Sequence, residues 1–314
     1  MRIRSIIIGG ALAFLGLLVL AGLVATASFY ALFYFPNRTA STIRTIVSSG
    51  QQREYLLYVP KSYEPSRPAS LVISLHPAMS WPTSQMNISQ WNNVADEYGF
   101  LVVYPAGTGF GPKTWFMEGR QTPARMPDVR FISALIDTLE ASYNIDPQRI
   151  YADGLSNGGG IAFVLSCTLP DRIAAVGMVA AARSLDWPWC ADHRPVPAIA
   201  FHGTADPVAP YNGGPTPVGP DVFPAVLSFT ATWAERNHCA PRPLLSTQAT
   251  DVTRLEYTSC ADGATVVLYT VRGGGHQWPG GKPLPAFLVG PYTRSIDATR
   301  LMWAFFQEHP FPAK

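Results

Sequence analysis

Charge is scarce in this chain: Asp, Glu, Lys and Arg make up 14% of its 314 residues, and 23 basic against 21 acidic groups leave a formal net charge of +2. No basic block or stripe breaks that balance, so the electrostatic footprint of a nucleic-acid binder is missing. Cysteine is scarcer still, with four residues and no C-x-x-C pair, which spells out neither a zinc site nor a redox motif. There is no internal repeat and no Ser/Thr-rich linker, which excludes a solenoid or a string of modules. What is abundant is apolar surface, at 47% of residues. That composition suits a well-buried body acting on a small-molecule or oligomeric ligand.

Part of the apolar content is concentrated at the N-terminus. No charge occurs from Ser5 to Phe35, and the apolar stretch from Ile6 exceeds the ~20 residues needed to span a bilayer. Arg2 and Arg4 precede it, and Ala25-Thr26-Ala27 offers a small-residue cleavage site. Against cleavage, the aromatics between Ser28 and Phe35 suit a membrane interface better than a new N-terminus. The expectation is a signal anchor or signal peptide over residues 1–37 and a single domain over 38–314, secreted or tethered to the membrane by that segment. In an exported chain the four cysteines read as disulfides. Three connectivities are possible, and sequence neighbourhood favours Cys167 with Cys190 and Cys239 with Cys260.

Strand-like runs (Tyr55–Val59, Leu71–Leu75, Phe100–Tyr104, Arg149–Asp153, Val196–Phe201, Ala264–Val271) alternate with helix-like ones, ending in Ala298–His309. Alternation of this kind predicts an α/β fold with a mostly parallel central sheet and helices on both faces. Asp128 suits the start of a helix that carries the periodic Phe131, Leu135, Ile136 and Leu139.

The chemistry is concentrated where strands end. Gly154-Leu155-Ser156-Asn157-Gly158 lies between the run ending at Asp153 and the apolar run from Ile161, the setting of a nucleophile elbow in an α/β-hydrolase fold. Such a turn is too tight for side chains two residues either side of the nucleophile, which here are Gly154 and Gly158. An acid and then a histidine should follow, each on a loop after a later strand. Asp206 follows the run ending at Phe201, and His276 sits in the glycine-flanked loop after Val271. A serine hydroxyl is a poor nucleophile until an imidazole takes its proton, and a carboxylate then fixes the tautomer and stabilises the imidazolium. Ser156, Asp206 and His276 are the predicted triad. His202, four residues before the acid, would break that order as a base and is read as structural.

A developing oxyanion needs two N–H donors. Asn157, after the nucleophile, supplies one. The other should come from the loop after Leu75, where Pro77 has no N–H and Ala78 is the expected donor, with Met79 the alternative. His76 shapes that loop.

The run Leu71–Ala78, the elbow through Gly159, Phe201–Pro207 and Gly273–Gly281 together resemble the polyhydroxybutyrate depolymerase and feruloyl esterase family, over roughly residues 50 to 310. The resemblance implies a secreted or envelope serine esterase related to carbohydrate esterase family 1, with nucleophile, acid and base at Ser156, Asp206 and His276. It also suggests the Cys239–Cys260 pair. The chain departs from the family where His-Gly-Cys is replaced by His76-Pro77-Ala78, and Asp-Asp-Val by Pro127-Asp128-Val129.

Aromatics in loops near these motifs predict the substrate pocket: Trp81, Trp115, Trp187, Trp189 and Trp278, with Phe110 and Phe116 in the Gly/Pro-rich stretch from Pro105 to Pro127. Trp278 either contacts the acyl group or supports the His276 loop. The expected reaction is hydrolysis of a hydroxyalkanoate, feruloyl or acetyl ester through an acyl-enzyme, with no metal or cofactor required. Two alternatives stand beside it: a serine peptidase on the same scaffold, and a membrane-tethered carbohydrate or cell-wall binding protein whose hydrolase site is inactive.

Overall fold

A computed structural model describes residues 43–109, 111–116, 126–183, 190, 194–216 and 222–311, with Gly16, Leu20 and Gly22 helical near the N-terminus. The predicted N-terminal segment, Phe110, Trp187 and Trp189 lie outside the described residues. Among the described residues no helix is long and apolar enough to cross a membrane. The chain divides into two units, 1–43 and 44–314.

The larger unit is built on a ten-stranded sheet. In chain order its strands are β1 (Ile43–Ser48), β2 (Gln51–Tyr58), β3 (Ala69–Leu75), β4 (Leu101–Pro105), β5 (Ile145–Leu155), β6 (Ala175–Val179), β7 (Ala198–Gly203), β10 (Leu244–Ala249), β11 (Val252–Tyr257) and β12 (Val266–Val271). The short pair β8 (Gly214–Pro215) and β9 (Val222–Phe223) forms a separate ribbon. Across the large sheet the order is β1-β2-β4-β3-β5-β6-β7-β12-β11-β10. The six central strands from β4 to β12 run parallel, while β2 joins one side and β11 and β10 the other in antiparallel pairing.

Central parallel strands are covered on both faces and therefore read as unbroken apolar runs; β3 (ASLVISL) and β6 (AVGMV) are buried along their whole length. Their alternation feeds two cores. On one face Leu71, Ile73, Leu75, Ile150 and Ala152 pack under α3 (Pro127–Ser142), α4 (Asn157–Thr168) and α5 (Val226–Arg236). On the other, Val72, Tyr151 and Leu155 pack under α1 (Pro82–Ser89), α2 (Trp91–Tyr98) and α7 (Ala298–Glu308). A four-residue helix, α6 (Ala286–Val289), lies in the connection before α7.

Helix α4 is apolar nearly all round (NGGGIAFVLSCT), as a helix enclosed on every side must be. Helix α3 starts on Pro127, whose missing N–H costs nothing in a first turn. Its Phe131, Leu135, Ile136 and Leu139 are buried, as their spacing predicts. Both disulfides form as sequence neighbourhood favours: Cys167, near the end of α4, joins Cys190, and Cys239, after α5, joins Cys260.

Candidate active site

Ser156 closes the elbow between β5 and α4 with φ 56° and ψ −117°, a conformation that L-residues adopt only when their surroundings impose it. The surroundings do so through close approach. A Cβ on Gly154 would lie 2.3 Å from the carbonyl carbon of Gly158, and one on Gly158 would lie 2.0 Å from the Leu75 carbonyl oxygen. Two main-chain bonds hold the turn: Ser156 N–H donates to Val179 O at 2.8 Å and Gly160 N–H to Ser156 O at 2.9 Å. Serine at a helix N-cap commonly spends its hydroxyl on the backbone. Here it makes no capping bond, and the half-buried Oγ remains available.

Asp206 and His276 meet on adjacent loops after β7 and β12. The loops are stitched together by Ala205 N–H to Gly274 O (2.9 Å), Thr204 N–H to Val271 O (2.9 Å) and Gly273 N–H to Thr204 Oγ1 (2.8 Å). Asp206 Oδ1 accepts from Val208 N–H and Ala209 N–H, both at 2.8 Å, while Oδ2 accepts from His276 Nδ1 at 2.8 Å. That bond makes Nδ1 the protonated nitrogen and leaves Nε2 with its lone pair. Burial alone would raise the Asp206 carboxyl; the bonds from His202 and His276 outweigh it and hold the group well below the usual carboxylate range. His202 Nε2 bonds to Ala209 O at 2.8 Å and lies 3.4 Å from Asp206 Oδ2. Among the described residues no hydrogen bond joins Ser156 Oγ to His276, so the serine shares the C-terminal edge of the sheet with the Asp206–His276 pair without being bonded to it.

The loop after β3 is braced from behind. Burial lowers His76 to about 4, so it is a neutral imidazole. Its Nε2 accepts from Gly107 N–H (3.0 Å), which puts the proton on Nδ1, donating to Pro77 O (2.8 Å). Trp115 then donates its indole N–H to His76 O at 2.9 Å. The same residue's main chain exchanges two hydrogen bonds with the Asn157 side chain: Trp115 N–H to Oδ1 at 2.7 Å and Nδ2 to Trp115 O at 3.1 Å. Next along, Phe116 N–H donates to Asp128 Oδ2 (2.9 Å), and the buried Asp128 pairs with Arg53 at 2.6 Å. Met79 N–H is engaged by Thr114 Oγ1 at 3.3 Å. That leaves Ala78, whose residue is exposed, as the available donor on this loop. Asn157, at the first position of α4, has no intrahelical partner for its N–H.

The tryptophans near these motifs divide by burial. Trp278 is fully buried, and its indole N–H donates to Thr299 Oγ1 at 2.9 Å. It supports the His276 loop from the core and has no face to offer a substrate. Trp115, 2% exposed, is likewise a brace and not a pocket wall. Trp81 keeps partial exposure at the start of α1, with Lys113 Nζ 5.8 Å from its ring centroid. The bracing by Trp115 is invisible in the sequence because its partners His76 and Asn157 lie 39 and 42 residues away.

A serine on a tight strand-to-helix turn, with an aspartate and then a histidine on loops after later strands, is the arrangement expected of an α/β-hydrolase fold. Residues 53–184 match the model of the family described as Esterase PHB depolymerase. A protein named "Putative esterase NocK", of Nocardia uniformis subsp. tsuyamanensis, is 30% identical over 82% of this chain and 80% of its own length. Feruloyl esterase B of Piromyces equi is 32% identical over 73% of this chain, which spans only 44% of that relative's length. Among solved structures, an acetyl xylan esterase from Aspergillus awamori superposes with a TM-score of 0.57 at 15% identity, covering 76% of this chain and 94% of that one, a likeness of fold. The chain belongs to the polyhydroxybutyrate depolymerase and feruloyl esterase family of carboxylic ester hydrolases.

Proposed function

We propose that this protein is an exported serine esterase that hydrolyses feruloyl, acetyl or hydroxyalkanoate esters. The observation that carries the reading is the strained elbow serine whose hydroxyl is left unspent at a helix N-terminus. Ser156 Oγ attacks the ester carbonyl carbon as its proton passes to His276 Nε2. Asp206 holds the His276 tautomer and stabilises the imidazolium. The oxyanion is received by the N–H groups of Asn157 and Ala78, in the positive field at the start of α4. Collapse expels the alcohol, which takes the proton from His276 and leaves an acyl group on Ser156. Water, activated by the same imidazole, then releases the acid. Export accords with the apolar N-terminal stretch and with two disulfides, which persist in oxidising compartments.

The test is hydrolysis of methyl ferulate, an acetylated sugar and 3-hydroxybutyrate oligomers by the full-length protein and by Ser156→Ala. Turnover of one ester class that disappears in the variant is expected and names the acyl specificity. A folded parent protein that turns over none of them overturns the reading in favour of a binding role.

A further inference from the structure

Behind the elbow, on the face covered by α1, α2 and α7, lies a buried polar cluster that the mechanism above does not use. Asp153 directly precedes Gly154 and is fully buried in the inner half of β5. Its Oδ1 accepts from Ser74 Oγ at 2.7 Å, and Ser74 Oγ accepts in turn from Gln85 Nε2 at 3.0 Å. Ser74 and Asp153 are register partners across β3 and β5, followed by Leu75 opposite Gly154. One pair further on, β3 enters the loop with the oxyanion donor and β5 enters the elbow with the nucleophile. Gln85 adds α1, the helix that the same loop leads into, to the chain of bonds.

The rest of the cluster is unsatisfied. Asp153 Oδ2, Gln85 Oε1 and Trp91 Nε1 are buried without hydrogen-bond partners. No ion pair reaches Asp153 among the described residues. Ser74 faces it from β3 and Trp91 from α2, and its Cβ lies 3.3 Å from the Cβ position of Gly177 on β6, where Met302 of α7 also packs. Tyr104 on β4 also lies in its field, a phenol that burial holds well above its ordinary value, so it is neutral. An ionised carboxylate in this setting has the Ser74 hydroxyl on one oxygen, the Trp91 indole nearby outside hydrogen-bond geometry, and no countercharge. A neutral acid carries a proton on the bare oxygen, in a cluster that also contains a bare amide acceptor.

We propose that Asp153 is a positioning residue for the esterase reaction: as a neutral acid it uses the Gln85–Ser74–Asp153 chain to set the spacing between the oxyanion loop after β3 and the Ser156 elbow after β5. This rests on the esterase reading above. In support, burial pushes the carboxyl up to about 7, against the opposing influence of Ser74 and the nearby Trp91 indole. Oxyanion-hole geometry is sensitive to displacements of the order of 1 Å, and loss of the chain acts on the acylation step and not on ground-state binding.

The experiment compares kcat and KM of the full-length parent, Asp153→Asn, Asp153→Ala and Ser74→Ala from pH 5 to 9 on p-nitrophenyl acetate, with Ser156→Ala as control. Asp153→Ala and Ser74→Ala are expected to lose about tenfold or more in kcat, with KM within about twofold. Asp153→Asn, a permanently neutral isostere, should match the parent at pH 6 and exceed it at pH 8 to 9, where the parent ionises. Parental kcat in both Asp153→Ala and Ser74→Ala overturns the positioning role. An Asp153→Asn profile parallel to the parent at every pH overturns the neutral-acid form. Should Asp153→Ala fail to fold, Ser74→Ala carries the test, since it removes one hydroxyl from the chain. Ser156→Ala with parental turnover overturns the esterase reading itself, a result separate from the other two.

Discussion

Asp206 and Asp153 are both buried near the C-terminal edge of the same parallel sheet, and their surroundings drive them in opposite directions. The loop region after β7 and β12 surrounds Asp206 with two main-chain N–H groups and two imidazoles. The strand region behind the elbow gives Asp153 one hydroxyl and a nearby indole. Burial favours the protonated form in both; donors overcome it at Asp206 and fail to at Asp153. Two carboxyls with divergent acidities divide the work in a way familiar from acid–base sites. In the proposed reaction one stays charged to stabilise the imidazolium formed during turnover, and the other serves where no charge develops.

Asp206→Asn tests the charged member and should give the largest effect. The amide can still bond to a histidine nitrogen, but it favours the wrong tautomer, and kcat should fall by about 10⁴-fold with the fold intact. A loss smaller than about tenfold would erase the distinction between the two aspartates and detach Asp206 from catalysis.

Asp153→Asn tests the neutral member through stability. Its folded-state value near 7 lies above the ordinary aspartate value of ~3.9, so the folded protein holds a proton that the unfolded chain releases. The sign is therefore a loss of stability as pH rises from about 4 to 7, constant above that window. Urea unfolding should show the parent losing about 2–4 kcal/mol across it. Asp153→Asn, without that titration, should lose correspondingly less. Equal pH dependence in the two proteins would mean that Asp153 is charged in the folded state.

The two regions also differ in how much of them can be read from sequence. Ser156, Asp206 and His276 each follow a strand-like run by a few residues, so local pattern alone puts them on loops at one edge of the sheet. Asp153 carries a fainter local signal: its period-two neighbours Tyr151 and Leu155 face the core, which places a carboxyl where an apolar side chain belongs. That it finds a hydroxyl from residue 74 depends on β3 and β5 being neighbours, a non-local fact. The edge strand β10 escaped for another reason. Its residues are nearly all exposed, so no burial alternation marks it. Trp278 and Trp115 look like pocket residues by neighbourhood and prove to be buried braces, because sequence proximity to a catalytic loop does not say which side of the loop a ring occupies.

Trp278→Phe makes the side of the loop measurable. The substitution removes the bond to Thr299 and part of a buried ring, at a cost of about 2 kcal/mol in stability. Because the indole supports the acid–base region from inside, KM should stay within about twofold. A several-fold rise in KM with unchanged stability would move Trp278 back into the substrate pocket.

The smallest effect should come from His202, and it sharpens the description of Asp206. His202 Nε2 is closer to Ala209 O, at 2.8 Å, than to Asp206 Oδ2, at 3.4 Å. Its shorter bond is therefore to backbone, while its contact with the carboxylate still helps to keep Asp206 ionised. Gln can supply an N–H to the same carbonyl, so His202→Gln should keep the fold and lower kcat by about tenfold or less. The equivalent His276→Gln should remove at least about 10³-fold, since that imidazole carries the proton in the proposed reaction. With one donor fewer, the Asp206 carboxylate becomes easier to protonate, and the acid-side fall in stability should begin at a higher pH in His202→Gln than in the parent. Equal kcat losses in the two histidine variants would mean that both imidazoles act on the carboxylate as one unit.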